Sequence, residues 1–296
     1  MTQTAQIFDR TALHQRKRRS LPAFPDFDFL HREVAARLSD RLQDTTRSFP
    51  FTLLHGCRRG ELSQAVLPTP QIQHVLRADL HPGRAPATDC VASLPIIAID
   101  EENQPFNTHS FDAVLSNLTL HTTNDLPGAL VQYRLALKPD GLFLAALFGG
   151  ETLKELRDVL GRAEIEVEGG LSPRIAPFAD VRDAGSLMNR AGFALPVVDT
   201  DTLTVYYDTP FKLFADLRGM GETNILQHRR KTPLKRDTLM RAATLYMDEY
   251  ATANGKIPAT FQILFLTGWR PDKSQPKPLQ PGSATASLAD FLNASN

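Results

Sequence analysis

Phe51-Thr52-Leu53-Leu54-His55-Gly56-Cys57-Arg58-Arg59-Gly60 is a short apolar run that stops at a glycine-bearing turn, and its reading decides the fold. An apolar run of strand length that ends on glycine reads as a β-strand feeding a tight turn. A short helix fits residues 61–67, closed by Pro68. The same alternation recurs downstream. Strands are expected at 74–79, 96–99, 111–116 and 142–148. Leu126, Leu130 and Leu137 give residues 125–137 helical spacing, which stops at the turn signal Lys138-Pro139-Asp140-Gly141. Strands alternating with helices imply βαβ units: an α/β fold with a mostly parallel, Rossmann-like sheet and helices on both faces.

Such sheets bind ligands beyond the carboxyl ends of their strands, and chemistry is sought there first. Gly56 and Gly60 let a nucleotide-like cofactor approach the backbone, although an ordinary strand-to-helix turn uses glycine too. Arg58 stands where a middle glycine would help such an approach. Asp79 ends the second strand, either to accept hydrogen bonds from ribose hydroxyls or to shape the turn before His81-Pro82-Gly83. Asp100 ends the third, either to hold an adenine amino group or to join Glu101 and Glu102 in a solvated acidic loop. The stretch Ser116-Asn117-Leu118-Thr119-Leu120-His121 follows the fourth strand and is the loop expected to face a substrate. His121 is the general-base candidate, since imidazole titrates nearest neutrality. Its alternative is a packed histidine at the start of the next helix.

Outward from this centre, 296 residues suit one large α/β domain or two small ones. A hydrophobic fraction of 42% supports a sizeable core. Thirty-three basic residues balance thirty-three acidic ones, so no global field favours nucleic acid or a membrane. Two cysteines, Cys57 and Cys90, exclude a disulfide scaffold and a cysteine-rich zinc site. No apolar stretch approaches the ~18 residues of a membrane span. Metal-site, Walker and nucleophile-elbow motifs are missing. Only His31-Arg32-Glu33 has facial-triad spacing, and on a helix those side chains diverge.

Residues 1–26 read as an N-terminal arm. Their basic cluster, Gln15-Arg16-Lys17-Arg18-Arg19, is either solvated or a docking point for an acidic partner or a membrane surface. A helix capped by Asp28 follows, its apolar face marked by Leu30, Val34, Leu38 and Leu42. The domain runs over 27–269. Its second half is less regular, with helices at 181–190, 211–217 and 236–250 and strands at 194–207 and 259–269. These late strands read as a hairpin-like pair split by a helical insertion, 209–258, which is the expected substrate cover. Met220, Glu222 and Asn224 are its soft and polar candidates. The cluster His228-Arg229-Arg230-Lys231 is a solvated face or a site for an acidic segment. Residues 270–296 read as a proline-rich tail.

This order of features resembles the class I S-adenosylmethionine-dependent methyltransferases. The likeness extends to one family through Ile7-Phe8-Asp9-Arg10, the segment 27–50, Leu118-Thr119-Leu120-His121, Asn124-Asp125-Leu126-Pro127 and Leu137-Lys138-Pro139-Asp140-Gly141. Phe148-Gly149-Gly150-Glu151-Thr152-Leu153, Gly169-Gly170-Leu171-Ser172-Pro173, Asp199-Thr200-Asp201, the segment 217–224 and Gly282-Ser283-Ala284-Thr285 extend it over nearly the whole chain. That family is the methyltransferase-like assembly factor of respiratory complex I, whose mitochondrial member is described as a protein-arginine hydroxylase. It is similar in turn to the malonyl-carrier-protein O-methyltransferase of biotin synthesis.

The resemblance implies S-adenosylmethionine as cofactor, and a protein, complex I subunit or carrier-bound substrate as partner. It places Gly56, Arg58, Gly60, Asp79, Asp100 and Ser116 around the cofactor. The family's first motif reads Asp-Leu-Gly-Cys-Gly-x-Gly. Here Leu54 replaces the acid and Arg58 the middle glycine, so Arg58 either pairs with the cofactor carboxylate or fills the pocket. Three activities are open at this level: methyl transfer, arginine hydroxylation, or assembly chaperoning without catalysis. The six residues before Ile7 imply a bacterial cytoplasmic protein, or a mitochondrial matrix protein already processed.

Overall fold

The alternation of strand and helix folds as one seven-stranded sheet in the order β3-β2-β1-β4-β5-β7-β6. The structure, a computed structural model, describes residues 6–83 and 91–276. Strands β1 (Phe49–His55), β2 (Ile72–Asp79), β3 (Ile96–Ala98), β4 (Phe111–Asn117) and β5 (Leu137–Phe148) pair in parallel. The late strand β7 (Ile257–Trp269) is antiparallel to both its neighbours, β5 and β6 (Ala194–Tyr207). The chain leaves β1 for β2 on one side and reaches β4 on the other. The carboxyl ends of β1 and β4 therefore flank a topological switch point, where such sheets open a crevice.

Two-residue periodicity sends alternate strand residues to opposite faces. Leu54, Leu115, Leu144 and Ala146 meet α2 (Phe29–Gln43), α3 (Glu61–Val66), α5 (Lys154–Glu168), α7 (Pro210–Met220) and α8 (Arg236–Tyr250) in one core. Leu53, Val114, Phe143 and Ala145 meet α4 (Leu126–Ala136) and α6 (Val181–Arg190) in the other. On α2 the leucines and valine spaced by four residues are all buried, and each contributes about 1.5–3 kcal/mol.

Several expectations are corrected. Asp28 occupies the N-cap position of α2 but makes no capping bond; its carboxylate pairs instead with Arg32 Nε at 2.8 Å. The turn at 138–141 is absorbed into β5, because Leu137 already pairs with Phe111 and the chain bulges past Asp140 at φ 59°. Helix α5 was not expected. It starts after Leu153 in a left-handed conformation, with no side-chain cap to announce it. Within the expected arm, α1 (Arg10–Ser20) is capped by Asp9, whose carboxylate accepts from Ala12 N at 2.9 Å. Of its residues only Ala12, Leu13 and Ser20 are buried, so no apolar stripe marks it. Residues 277–296, with Gly282-Ser283-Ala284-Thr285, and Cys90 lie outside the described residues. Among the described residues no helix is long and apolar enough to cross a membrane.

Candidate functional site

At the switch point the chain leaves β1 through Gly56 at φ 79°. A Cβ there would stand 2.3 Å from Asn117 O at the end of β4, so only glycine lets the two strand ends close. The amides of Gly56 and Cys57 both donate to Ala78 O, at 3.0 and 3.4 Å, which folds the turn over β2. Arg58 follows at φ 21°, and its amide donates to Asp79 Oδ2 at 3.1 Å. Its guanidinium is buried: Nη1 donates to Met220 O at 2.5 Å, and Cζ lies 4.4 Å from the centre of the Phe24 ring.

A cavity of only 20 Å³ remains here, lined by Lys17, His31, Gly56, Arg58, Asp79 and Asn117 among others. That is room for little more than a water molecule. Its lining is polar and incompletely paired. Arg58 Nη2, both ring nitrogens of His31 and Asn117 Oδ1 are buried without a hydrogen-bond partner. Burial, reinforced by the charges of Arg58 and Lys17, pushes the His31 pKa well below its ordinary value, so the ring is neutral.

A second cavity, of 60 Å³, lies beside the first, and Thr122 lines both. His121, Phe148, Phe178, Glu222, Thr223 and Asn224 form much of its wall. His121 Nε2 sits 3.2 Å from Glu222 Oε2, while the other carboxylate oxygen pairs with Lys17 Nζ. Burial raises the Glu222 pKa, but Lys17, His121 and Arg58 outweigh it and hold the carboxyl well below its usual range. His121 is packed 4.5 Å from the Phe148 ring centre, and its Nδ1 has no partner. Asn224 is fixed by donating to Pro173 O at 2.9 Å.

The structure thus brings Gly56, Arg58 and Asp79 to the first cavity and His121 to the second. Glu222 and Asn224 line the second cavity as well, whereas the other residues expected around the cofactor line neither. Gly60 opens α3 at φ 120° and faces Val91 and Arg77. Ser116 is fully buried, its Oγ 2.9 Å from Thr119 Oγ1. Asp100 is engaged by Arg10 at 2.7 Å, beside Glu101 and Glu102.

The arm reading missed what α1 contributes. Arg10 reaches the acidic loop from one end of the helix, and Lys17 reaches Glu222 from the other. Asp9 pairs with Arg229 at 3.0 Å. His31 was missed as well; its place between Leu30 and Val34, on the buried side of α2, was the available signal.

A strand-to-helix glycine turn at the switch point, an acid ending β2 and a seven-stranded sheet with one late antiparallel strand define a methyltransferase fold. The family described as a methyltransferase domain matches residues 53–145. The 1,6-didemethyltoxoflavin-N1-methyltransferase of Burkholderia thailandensis, solved with S-adenosylhomocysteine, superposes with a TM-score of 0.50 at 16% identity, covering 89% of each chain. That likeness concerns the fold. Sequence goes further. The arginine-hydroxylase NDUFAF5 of Homo sapiens, a mitochondrial protein, is 43% identical over 99% of this chain and 85% of its own length. The malonyl-[acyl-carrier protein] O-methyltransferase of Halorhodospira halophila is 31% identical, over 90% of this chain and 89% of its own. The chain belongs to the NDUFAF5 arginine-hydroxylase family.

Proposed function

We propose that this protein binds S-adenosylmethionine at the β1–β4 switch point and modifies a side chain of a protein partner held in the adjoining cavity. Its biological setting is the assembly of respiratory complex I, as the family resemblance implies. The observation that carries the reading is the adjacency of the two cavities. A crevice with the polar groups of a nucleoside site abuts, at Thr122, a pocket holding an imidazole–carboxylate pair.

The residues present fit the cofactor's chemistry. Asp79 accepts one amide on each oxygen, from Arg58 and from His81 at 2.8 Å, and keeps lone pairs for ribose hydroxyls. Gly56 presents bare backbone. The unpartnered donors and acceptor of Arg58, His31 and Asn117 suit a polar ligand. The small cavity means that Lys17 and Arg58, at its wall, must yield to a nucleoside. The sulfonium carries an already activated methyl group, so the protein's task is alignment. His121 is placed to take a proton from an acceptor, and Glu222 to orient its ring. Asp100 and Ser116 belong to this reading as outer supports, Asp100 on the adenine side once Arg10 releases it.

A second reading, oxygen transfer to arginine, is favoured by the higher identity to the arginine-hydroxylase than to the carrier-protein methyltransferase, 43% against 31%. The carboxylate of Glu222 among Phe148 and Phe178 suits a guanidinium in either case. One experiment separates them. The purified chain is incubated with S-adenosylmethionine, dioxygen, a reductant and arginine-containing peptides of a complex I subunit, and the products are weighed. Gain of a methylene supports methyl transfer, and gain of an oxygen supports hydroxylation. No binding of S-adenosylmethionine or S-adenosylhomocysteine at millimolar ligand sinks the cofactor reading.

A further inference from the structure

We infer that the groove between α5 and residues 171–175 receives an apolar, acidic segment of the protein partner and so delivers a neighbouring side chain to the His121 cavity. The inference rests on the reading of that cavity as the acceptor pocket, and adds the surface that selects the partner.

The groove has a volume of 570 Å³ and is lined by Arg157, Gly161, Ile165, Leu171, Pro173 and Ile175 among others. Arg157, Gly161 and Ile165 recur every four residues and share one face of α5. Gly161 lies in the middle of that helix, where glycine costs stability relative to ordinary residues. Nothing crowds it: an added Cβ would meet Leu171 Cδ1 at 3.4 Å, an ordinary contact. What the missing side chain does is leave the floor of the groove open. The walls are apolar and exposed, Ile165 by 54% and Leu171 by 68%. Leu171 is the most exposed large hydrophobic side chain among the described residues. Single exposed apolar residues are ordinary, whereas several lining one groove mark a surface that a partner covers.

Two observations choose the occupant. The first is charge. Three arginines, Arg157, Arg162 and Arg174, line the groove with one aspartate, Asp158. Arg174 is neutralised by Glu164 at 2.6 Å, and Arg162 by Glu249 and Asp158. Arg157 has no carboxylate partner among the described residues. It donates only to the carbonyls of Gly150, Thr152 and Ala176, at 3.3, 3.3 and 3.5 Å. A guanidinium so placed beside an apolar wall complements an acidic side chain within an apolar segment. The second observation is continuity. Arg174 and Ile175 line both the groove and the His121 cavity. Glu164 fixes this shared wall by accepting from Ser172 N at 3.0 Å and from Arg174 Nε at 2.9 Å. A chain lying in the groove therefore reaches the cavity, where its acceptor side chain enters.

The test is affinity selection by the full-length chain from a synthetic peptide library with arginine fixed at the centre and randomised positions on both sides. Peptides held by the wild-type chain are expected to carry glutamate or aspartate about threefold above its share at one position, the worth of an exposed ion pair. Leucine or isoleucine should be enriched beside it. Arg157→Glu is expected to exchange the acidic preference for lysine or arginine. Gly161→Leu, which fills the floor, is expected to lose the apolar enrichment. Leucine is a better helix former than glycine, so this variant should fold, and melting curves check both. No flanking preference, or one unchanged by Arg157→Glu, overturns the groove and leaves the reading of the cavity intact. Flanking preferences that persist in a library with alanine at the centre, bound equally well, uphold the groove and overturn the cavity as an arginine pocket. A wild-type dimer that Gly161→Leu converts to a monomer in light scattering overturns the groove as a partner site, since a second copy then covers it.

Discussion

The two neighbouring cavities differ in how far their charges are settled. In the His121 cavity each oxygen of Glu222 has a cationic or imidazole partner, and its carboxylate is held ionised. In the crevice cavity Arg58, His31 and Asn117 all keep unpartnered polar atoms. The carboxylate of one site is held by neighbouring charges, while the other site leaves more of its polar atoms unmatched. The difference is one of degree, since His121 Nδ1 and Thr223 Oγ1 in the second cavity also lack partners.

The largest effect that would break this comparison lies at Asp79. Its carboxylate anchors the Arg58 and His81 amides and is the expected partner of two ribose hydroxyls. Two charge-assisted hydrogen bonds are worth about 3–6 kcal/mol together, so Asp79→Ala should weaken S-adenosylhomocysteine at least about a hundredfold by calorimetry. Unchanged affinity would mean that Asp79 only shapes the turn, as its alternative reading holds.

Next comes Glu222, the settled side. Glu222→Ala leaves Lys17 nearly buried without an anion, and such losses cost about 3–5 kcal/mol. Denaturant unfolding reads this directly. Because the folded pKa of Glu222 is depressed, its stabilisation is present above the ordinary carboxylate range and is lost as pH falls through the folded value. The wild-type chain should therefore lose stability more steeply in acid than Glu222→Gln. A shared slope would show that Lys17 and Glu222 contribute no net pairing energy.

These expectations expose what was legible from residues alone. Leu53 and Leu54 alternate between the two cores, Gly56 follows β1 and Asp79 ends β2. Local periodicity and turn chemistry carry all of that. Lys17 and Glu222 are far apart in the chain, and no local rule joins them. Helix α1 hides because it buries few apolar residues, whereas α5 lacks a cap at Leu153 but carries helical spacing in Leu156, Val159, Leu160 and Ala163 that could have announced it. The charged half of the site is built by tertiary contacts, which is why Gly56 and Asp79 could be read from local sequence and the Lys17–Glu222 pair could not.

At the end of β1, His55 gives a third, smaller effect. It is fully buried and shares a hydrogen bond with the Tyr133 hydroxyl. Burial lowers its pKa to about 4. The unfolded chain takes up that proton near pH 6.5 and the folded chain only near 4, so stability falls as pH drops through this window. The span is worth about 3 kcal/mol at most. His55→Gln should flatten the pH dependence of urea unfolding between these limits. If the slope persists, His31 carries it, since burial displaces its pKa in the same direction.

The smallest effect tests whether α1 covers the crevice. Arg10 clasps α1 to Asp100 and Glu101 while Lys17 covers the crevice, so a ligand must first loosen this helix. Arg10 is 19% exposed, and its pairs hold the helix by about 1 kcal/mol or less. That energy is a tax on the binding-competent state, and apparent affinity rises as the tax falls. Arg10→Ala should therefore bind S-adenosylhomocysteine about two- to fivefold more tightly. Amide hydrogen exchange over residues 10–20 should quicken in the free chain. Weaker binding with unchanged exchange would assign Arg10 itself to the ligand and remove α1 as the cover. The barrier to a ligand would then lie in Lys17 and Arg58 at the cavity wall and not in the docking of α1.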